Sequence, residues 1–208
     1  MTDTWDLIAR ERRVLADVLD SLTDDQWATP SLCAGWAVRD VVAHLVFPMR
    51  MGMVRLMGKL AVRRFDFARL SDEEARGDPR SPHELVAALR ANAEHRFHPP
   101  GFGSEAPLTD VIIHGQDIRR PLGLPRAVDE IPMRIALDLL TSPKATRGFI
   151  AKGRLSGLRL EATDLGWSHG AGAVIAGPSD ALAMAIAGRK SALAELEGDG
   201  VAVLGGRA

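Results

Sequence analysis

Val38-Arg39-Asp40-Val41-Val42-Ala43-His44-Leu45-Val46-Phe47-Pro48-Met49-Arg50-Met51-Gly52-Met53 is the stretch on which the fold turns. Val41, Val42, Leu45, Val46, Met49 and Met53 recur at spacings of three and four and continue through Leu56, Met57 and Leu60, which predicts one long helix from Val38. Phe47 and Met51 lie off that stripe, so between Val41 and Met53 the segment is apolar on nearly every side. Such a helix belongs at the centre of a helical domain. Pro48 follows His44 by four residues and lacks the N–H that would bond the carbonyl of residue 44, so a kink is expected beside the imidazole.

Working outward, Trp5, Ile8, Val14, Leu15, Val18, Leu19 and Leu22 give an amphipathic first helix. Thr23-Asp24-Asp25-Gln26 has the form of a capping box, and a turn-rich loop follows from Thr29 to Gly35. Residues 63–80, dense in Arg, Asp and Glu and ending in Gly77-Asp78-Pro79, read as a linker. Ser81-Pro82-His83-Glu84 caps a third helix that ends before Pro99, and Leu108, Val111, Ile112 and Ile118 mark a fourth. A further helix is expected around Pro132–Leu140.

After Gly148 the period changes. Leu158, Leu160 and Ala162 alternate with Arg159, Glu161 and Thr163, the pattern of a strand, and Ala173–Ala176 reads as a second. A helix over Pro178–Ala187, a short continuation at Ser191–Leu196 and a last strand at Val201–Leu204 complete the expectation. The fold class is therefore α+β, with a bundle of about four helices over residues 1–150 and a small α/β unit over 151–208.

The 208 residues suffice for a sizeable core, and 46% hydrophobic with 25% charged residues is an ordinary globular composition. Lys and Arg total 26 against 27 Asp and Glu, which argues against a general binder of nucleic-acid backbone. No apolar run approaches the roughly 18 residues of a spanning helix, so no membrane partner is expected. Cys33 is the sole cysteine, which excludes an intrachain disulfide or a thiolate cluster and fits a reducing compartment, hence a cytoplasmic protein.

Of six histidines, only His44 and His114 sit inside strongly apolar helical segments. His114 has Asp110 four residues before it and Asp117 three after, so the three project from one helical face. That stripe is either a solvated face with local hydrogen bonds to the imidazole or part of a metal site. Carboxylate and histidine at i and i+4 are a spacing on which bundle metal sites are built, and His44 on a neighbouring helix would be a third ligand. His44 taken alone equally fits a core histidine bonded to a backbone carbonyl.

Trp27, the run Pro30-Ser31-Leu32-Cys33-Ala34-Gly35-Trp36-Ala37-Val38-Arg39-Asp40-Val41-Val42-Ala43-His44-Leu45 and Asp110-Val111-Ile112-Ile113-His114-Gly115-Gln116-Asp117 resemble the mycothiol-dependent maleylpyruvate isomerase family. Gly188-Arg189 and Gly198-Asp199-Gly200 look like its C-terminal domain. The wider group is the DinB-like four-helix bundle. The resemblance implies a divalent metal, typically zinc, held by His44, Asp110 and His114, with the departure that the family has glutamate where this chain has Asp110. It also implies mycothiol as a low-molecular-weight thiol cofactor, a small electrophilic substrate, and Arg189 as the guanidinium that orients an acidic substrate.

Two neutral imidazoles and one carboxylate would leave a dication with net charge +1, which suits a thiolate. A free thiol titrates near 8–9 and is a minor nucleophile at neutral pH unless a metal ionises it. The expected function is thus a metal- and mycothiol-dependent isomerase or S-transferase. The alternatives are a metal- or thiol-binding detoxification or stress protein without isomerase activity, and a regulatory bundle whose metal site has decayed. For Arg189 the alternative is a surface charge closing the preceding helix.

Overall fold

The computed structural model describes residues 3–207. The chain forms two compact units, the first made of the described chain up to Pro99 with Asp117–Pro125, the second of Pro100–Gln116 with the described chain from Arg126. Among the described residues no helix is long and apolar enough to cross a membrane.

In the first unit, α1 (Thr4–Asp20) starts where the Asp3 carboxylate accepts from Trp5 N and buries Leu7, Ile8, Leu15 and Leu19. α2 (Asp24–Ala28) carries the Thr23/Gln26 capping box read from the sequence. α3 (Val38–Arg50) buries Val38, Val41, Val42, Ala43, Leu45, Val46 and Phe47, so it is the central helix, packed by α2, α5 (Phe67–Arg76) and α6 (Pro82–Ala91). The expected single helix from Val38 is not continuous. It ends at Arg50, two residues past Pro48, and after extended Met51 and Gly52 a separate α4 (Met53–Val62) begins. Without its N–H, Pro48 weakens the last turn of α3.

The linker expected at residues 63–80 is also corrected, because most of it is α5. Asp66 caps it by accepting from Arg69 N, and Leu70, Ser71 and Ala75 are buried. Its charges form the opposite, solvated face, with Arg69–Glu73 and Asp72–Arg76 ion pairs one turn apart. α6 has the anticipated Ser81/Glu84 capping box and Pro82 in its first turn. The buried Arg12 guanidinium ends it from α1, donating to the carbonyls of Ala93 at 3.0 Å and His95 at 2.8 Å.

In the second unit lie most of α7 (Glu105–Arg119), then α8 (Glu130–Thr141), a 3-10 turn at Pro143–Arg147, and a three-stranded sheet of order β2-β1-β3. β1 (Leu158–Ala162) pairs antiparallel with β2 (Trp167–Gly170) and parallel with β3 (Ala173–Gly177). β2 escaped the sequence reading because its Gly170 looked like a turn. Only Ala171 and Gly172 separate β2 from β3 on the opposite edge of β1, so the chain must cross tightly over the start of β1. Gly172, at φ +127, permits this, since a Cβ there would lie 2.0 Å from the Gly157 carbonyl oxygen.

The largely buried α9 (Ser179–Ile186) packs on the sheet and on α8. The strand expected at Val201–Leu204 is a helix, α10 (Gly200–Gly205). Glu197 makes a lone bridge to Ala176 at the open edge of β3. Gly200 then passes so close to β3 that a Cβ would meet Ile175 Cγ1 at 2.6 Å and Ala173 O at 2.8 Å, and the chain turns away into a helix that buries Leu204.

Candidate metal centre

His44 lies on the sixth turn-forming position of α3 after Val38 and is 7% exposed. Its Nδ1 is 2.7 Å from the hydroxyl of Ser71, itself 5% exposed on α5. Trp36 leans on the imidazole with ring centroids 5.3 Å apart, and Phe47 sits at 5.9 Å on another side. The Trp36 indole N–H donates to Asp72 Oδ1 at 2.8 Å, and Arg76 Nε donates to the same oxygen at 2.7 Å. The Trp36 bond, followed by the Arg76 bond and charge, holds the Asp72 carboxyl below its ordinary value, so it is a firm acceptor at neutral pH. Consecutive residues of α5 thus fix the histidine and the tryptophan packed against it.

The loop before α3 is tied in several places. Ser31 N donates to Trp36 O and Trp36 N to Cys33 O, and Pro30 bridges Ala37. Leu32 N donates to Asp117 O at 3.1 Å, and Cys33 Sγ lies 3.0 Å from Asp117 Oδ2. Asp117 is fully buried. The sequence placed Asp117 in one polar stripe with Asp110 and His114, whereas its carboxylate supports the Cys33 loop.

On α7, Asp110 Oδ1 and His114 Nε2 are 3.5 Å apart, with side chains 35% and 13% exposed. That is long for a hydrogen bond. Two ligands each about 2.1 Å from a tetrahedral ion stand roughly 3.4 Å apart, so this separation fits the edge of a coordination tetrahedron. The shorter carboxylate arm of Asp110 therefore does not put its oxygen out of reach of a metal shared with His114.

Arg189 follows α9 and is half-buried, with Nη1 donating to Ala187 O at 2.7 Å. The same helix end is served by buried Arg154, which donates to Ala185 O at 2.9 Å and Ile186 O at 3.0 Å. The two arginines thus serve different carbonyls of this helix end, Ala187 O falling to Arg189.

Residues 8–97 match the model of the mycothiol maleylpyruvate isomerase N-terminal domain. Over those residues the chain is similar to that domain. The matched segment runs from within α1 past the end of α6 and includes Trp36, His44 and Ser71; Asp110, His114 and Arg189 lie beyond it. A solved mycothiol-dependent maleylpyruvate isomerase superposes with a TM-score of 0.60 at 19% identity, covering 96% of both chains. A histidine-to-alanine mutant of such an isomerase gives 0.59 at 18%, again over 96% of both. At this identity the likeness shows that the maleylpyruvate isomerase fold extends across nearly the whole chain. No curated protein matches the sequence.

Ser71 and Asp72 are the residues that sequence reading missed at this site. They lay in a charge-rich stretch taken for linker, and the signal available was the spacing of apolar Leu70 and Ala75 among the charges.

Proposed function

We propose that the chain is a metal- and mycothiol-dependent isomerase or S-transferase acting on a small, acidic, maleylpyruvate-like electrophile, with His44, Asp110 and His114 as the metal ligands. The observation that carries this reading is the Asp110–His114 pair, a carboxylate oxygen and an imidazole nitrogen 3.5 Å apart in a chain of the maleylpyruvate isomerase fold. Two imidazoles and a carboxylate suit zinc and leave the open position that catalysis requires. A divalent cation so held supplies Lewis acidity that ionises a thiol at neutral pH.

The remaining work falls to the chain. His44 is buried in its own unit, and His114 is more shielded from water than Asp110 on the same helix. Arg189 is the guanidinium this reading assigns to the substrate, since its planar fork suits the paired recognition of a carboxylate. In this reading residues 1–150 hold the metal and 151–208 contribute the substrate guanidinium.

A second reading, a metal- or thiol-binding protein without isomerase activity, is favoured by Asp110 where the family has glutamate. Zinc-loaded protein supplied with mycothiol and maleylpyruvate separates the two. Isomerisation that stops on zinc removal supports the first. Stoichiometric zinc without turnover leaves the second, and no bound metal overturns the first.

A further inference from the structure

We propose that the α4–α5 hairpin is a docking surface for an anionic lipid bilayer, lying in the interface plane with its apolar face toward the acyl chains and its arginines on the headgroups. The proposal is independent of the metal reading. α4 is apolar on both sides. One side buries Leu56 against Phe47, Met51 and Leu70, while the opposite side shows Val54, Met57, Gly58, Ala61 and Val62 to solvent. Of the nine large apolar side chains exposed among the described residues, five fall between Val54 and Phe67, so this is a patch rather than scatter. Val54 and Val62, 89% and 82% exposed, stand clear of their neighbours, which makes the surface convex and leaves no groove to grip a helix or strand.

The tip of the hairpin is held out against its own backbone preference. α4 ends with Arg64 N donating to Ala61 O and Phe65 N to Leu60 O, a stop that glycine normally makes. Here Arg64 and Phe65 adopt it at φ of 55 and 63, the left-handed region that a Cβ disfavours, and Phe65 remains 67% exposed. The free chain gains little burial from a phenyl ring so placed, whereas a bilayer would bury it. The charges point to which surface does so. No Asp or Glu lies between Asp40 and Asp66, and five cations do. Glu74 and Glu73 engage Lys59 and Arg63, and Asp78 faces Arg50. Arg55 and Arg64 have no acidic partner among the described residues and flank the apolar face, so they complement anionic headgroups. A symmetric second copy docked through this face would instead bring the same two arginines toward their counterparts. Lying on a bilayer needs no spanning helix, so the sequence expectation of no membrane partner concerns embedded segments alone.

The test uses the full chain and vesicles of phosphatidylcholine alone or mixed with phosphatidylserine, read by cosedimentation at low and high salt. The wild type is expected to sediment with the mixed vesicles at low salt, to lose most of that binding at high salt and to ignore phosphatidylcholine alone. Partitioning should fall about fivefold in Arg55→Gln and about tenfold in Phe65→Asn, with Val54→Ser as a second apolar variant. Asparagine tolerates the left-handed region, so Phe65→Asn should melt no lower than the wild type, whereas losing a ring that packs the fold would lower the melting temperature. A wild type that stays off the mixed vesicles at low salt, or binds phosphatidylcholine alone equally well, overturns the proposal without any variant. Equal binding by the wild type and all three variants overturns it too, as does a lower melting temperature for Phe65→Asn. Dimers in sedimentation velocity that form without vesicle binding and are lost in Phe65→Asn would make a second copy the occupant and overturn the bilayer.

Discussion

Asp110 and His114, one turn apart on α7, hold a carboxylate oxygen and Nε2 at 3.5 Å, the separation of two ligands on one tetrahedral ion. Asp110→Ala removes one of three charged or polar donors. Structural zinc sites are worth about 10–16 kcal/mol, so losing a third of the donors costs several kcal/mol and lowers affinity by orders of magnitude. Metal content of protein purified without chelator should fall from stoichiometric to near zero. Asp110→Glu should retain metal, because the longer arm adds only one rotatable bond. Unchanged metal content in Asp110→Ala would remove Asp110 from the ligand set.

Arg189 offers a sharper division between recognition and stability. Arg189→Lys keeps the charge and loses the planar fork, so KM for an acidic substrate should rise while zinc content stays the same. Arg154 keeps the Ala185 and Ile186 carbonyls, so Arg189→Ala should cost about 1 kcal/mol of stability, the scale of the one hydrogen bond to Ala187 O that it loses. Steady-state kinetics and urea unfolding on the same preparations give both readings. Equal kinetics for the wild type and both variants would return Arg189 to a capping role.

What the sequence exposed of this protein follows from which physics is local. Capping boxes at Thr23 and Ser81 and the alternation Leu158–Thr163 depend on neighbours a few residues away, and each was legible. The break at Met51-Gly52 was hidden because an apolar period of three to four runs through α3 and α4 alike, and only the missing N–H of Pro48 hinted at it. α5 was hidden for the opposite reason: its solvated face outnumbers the buried Leu70, Ser71 and Ala75. Two of the three ligand candidates showed themselves as histidines in apolar helices and Asp110 as a carboxylate one turn before His114, but the support of His44 by Ser71, 27 residues away, is a tertiary fact with no sequence spacing to announce it.

Gly172 tests the crossing between the two edges of the sheet. Gly172→Ala places a methyl 2.0 Å from the Gly157 oxygen at a φ of +127 that alanine resists. Loss of more than about 2 kcal/mol is expected, the sum of strain and a backbone clash. Thermal unfolding of the variant checks it, and a melting temperature equal to the wild type would mean that β2 and β3 are not joined by this crossing.

Arg12 and His95 link the first unit's stability to pH. Burial, and after it the nearby Arg12 charge, lowers the His95 pKa from 6.5, and the buried Nδ1 has no hydrogen-bond partner among the described residues. A base whose pKa is lower folded than unfolded takes up its proton more readily when unfolded, so stability is full above about 6.5 and declines as pH falls through the unfolded value toward the lower folded one. Urea midpoints measured from pH 7.5 down to pH 5 should therefore fall, and His95→Gln, which carries no titrating group, should flatten that part of the curve. Arg12→Met should act differently, lowering stability by about 2–3 kcal/mol at every pH because carbonyls at the end of α6 lose a charged donor. An identical pH slope in His95→Gln and the wild type would assign the acid sensitivity to other groups.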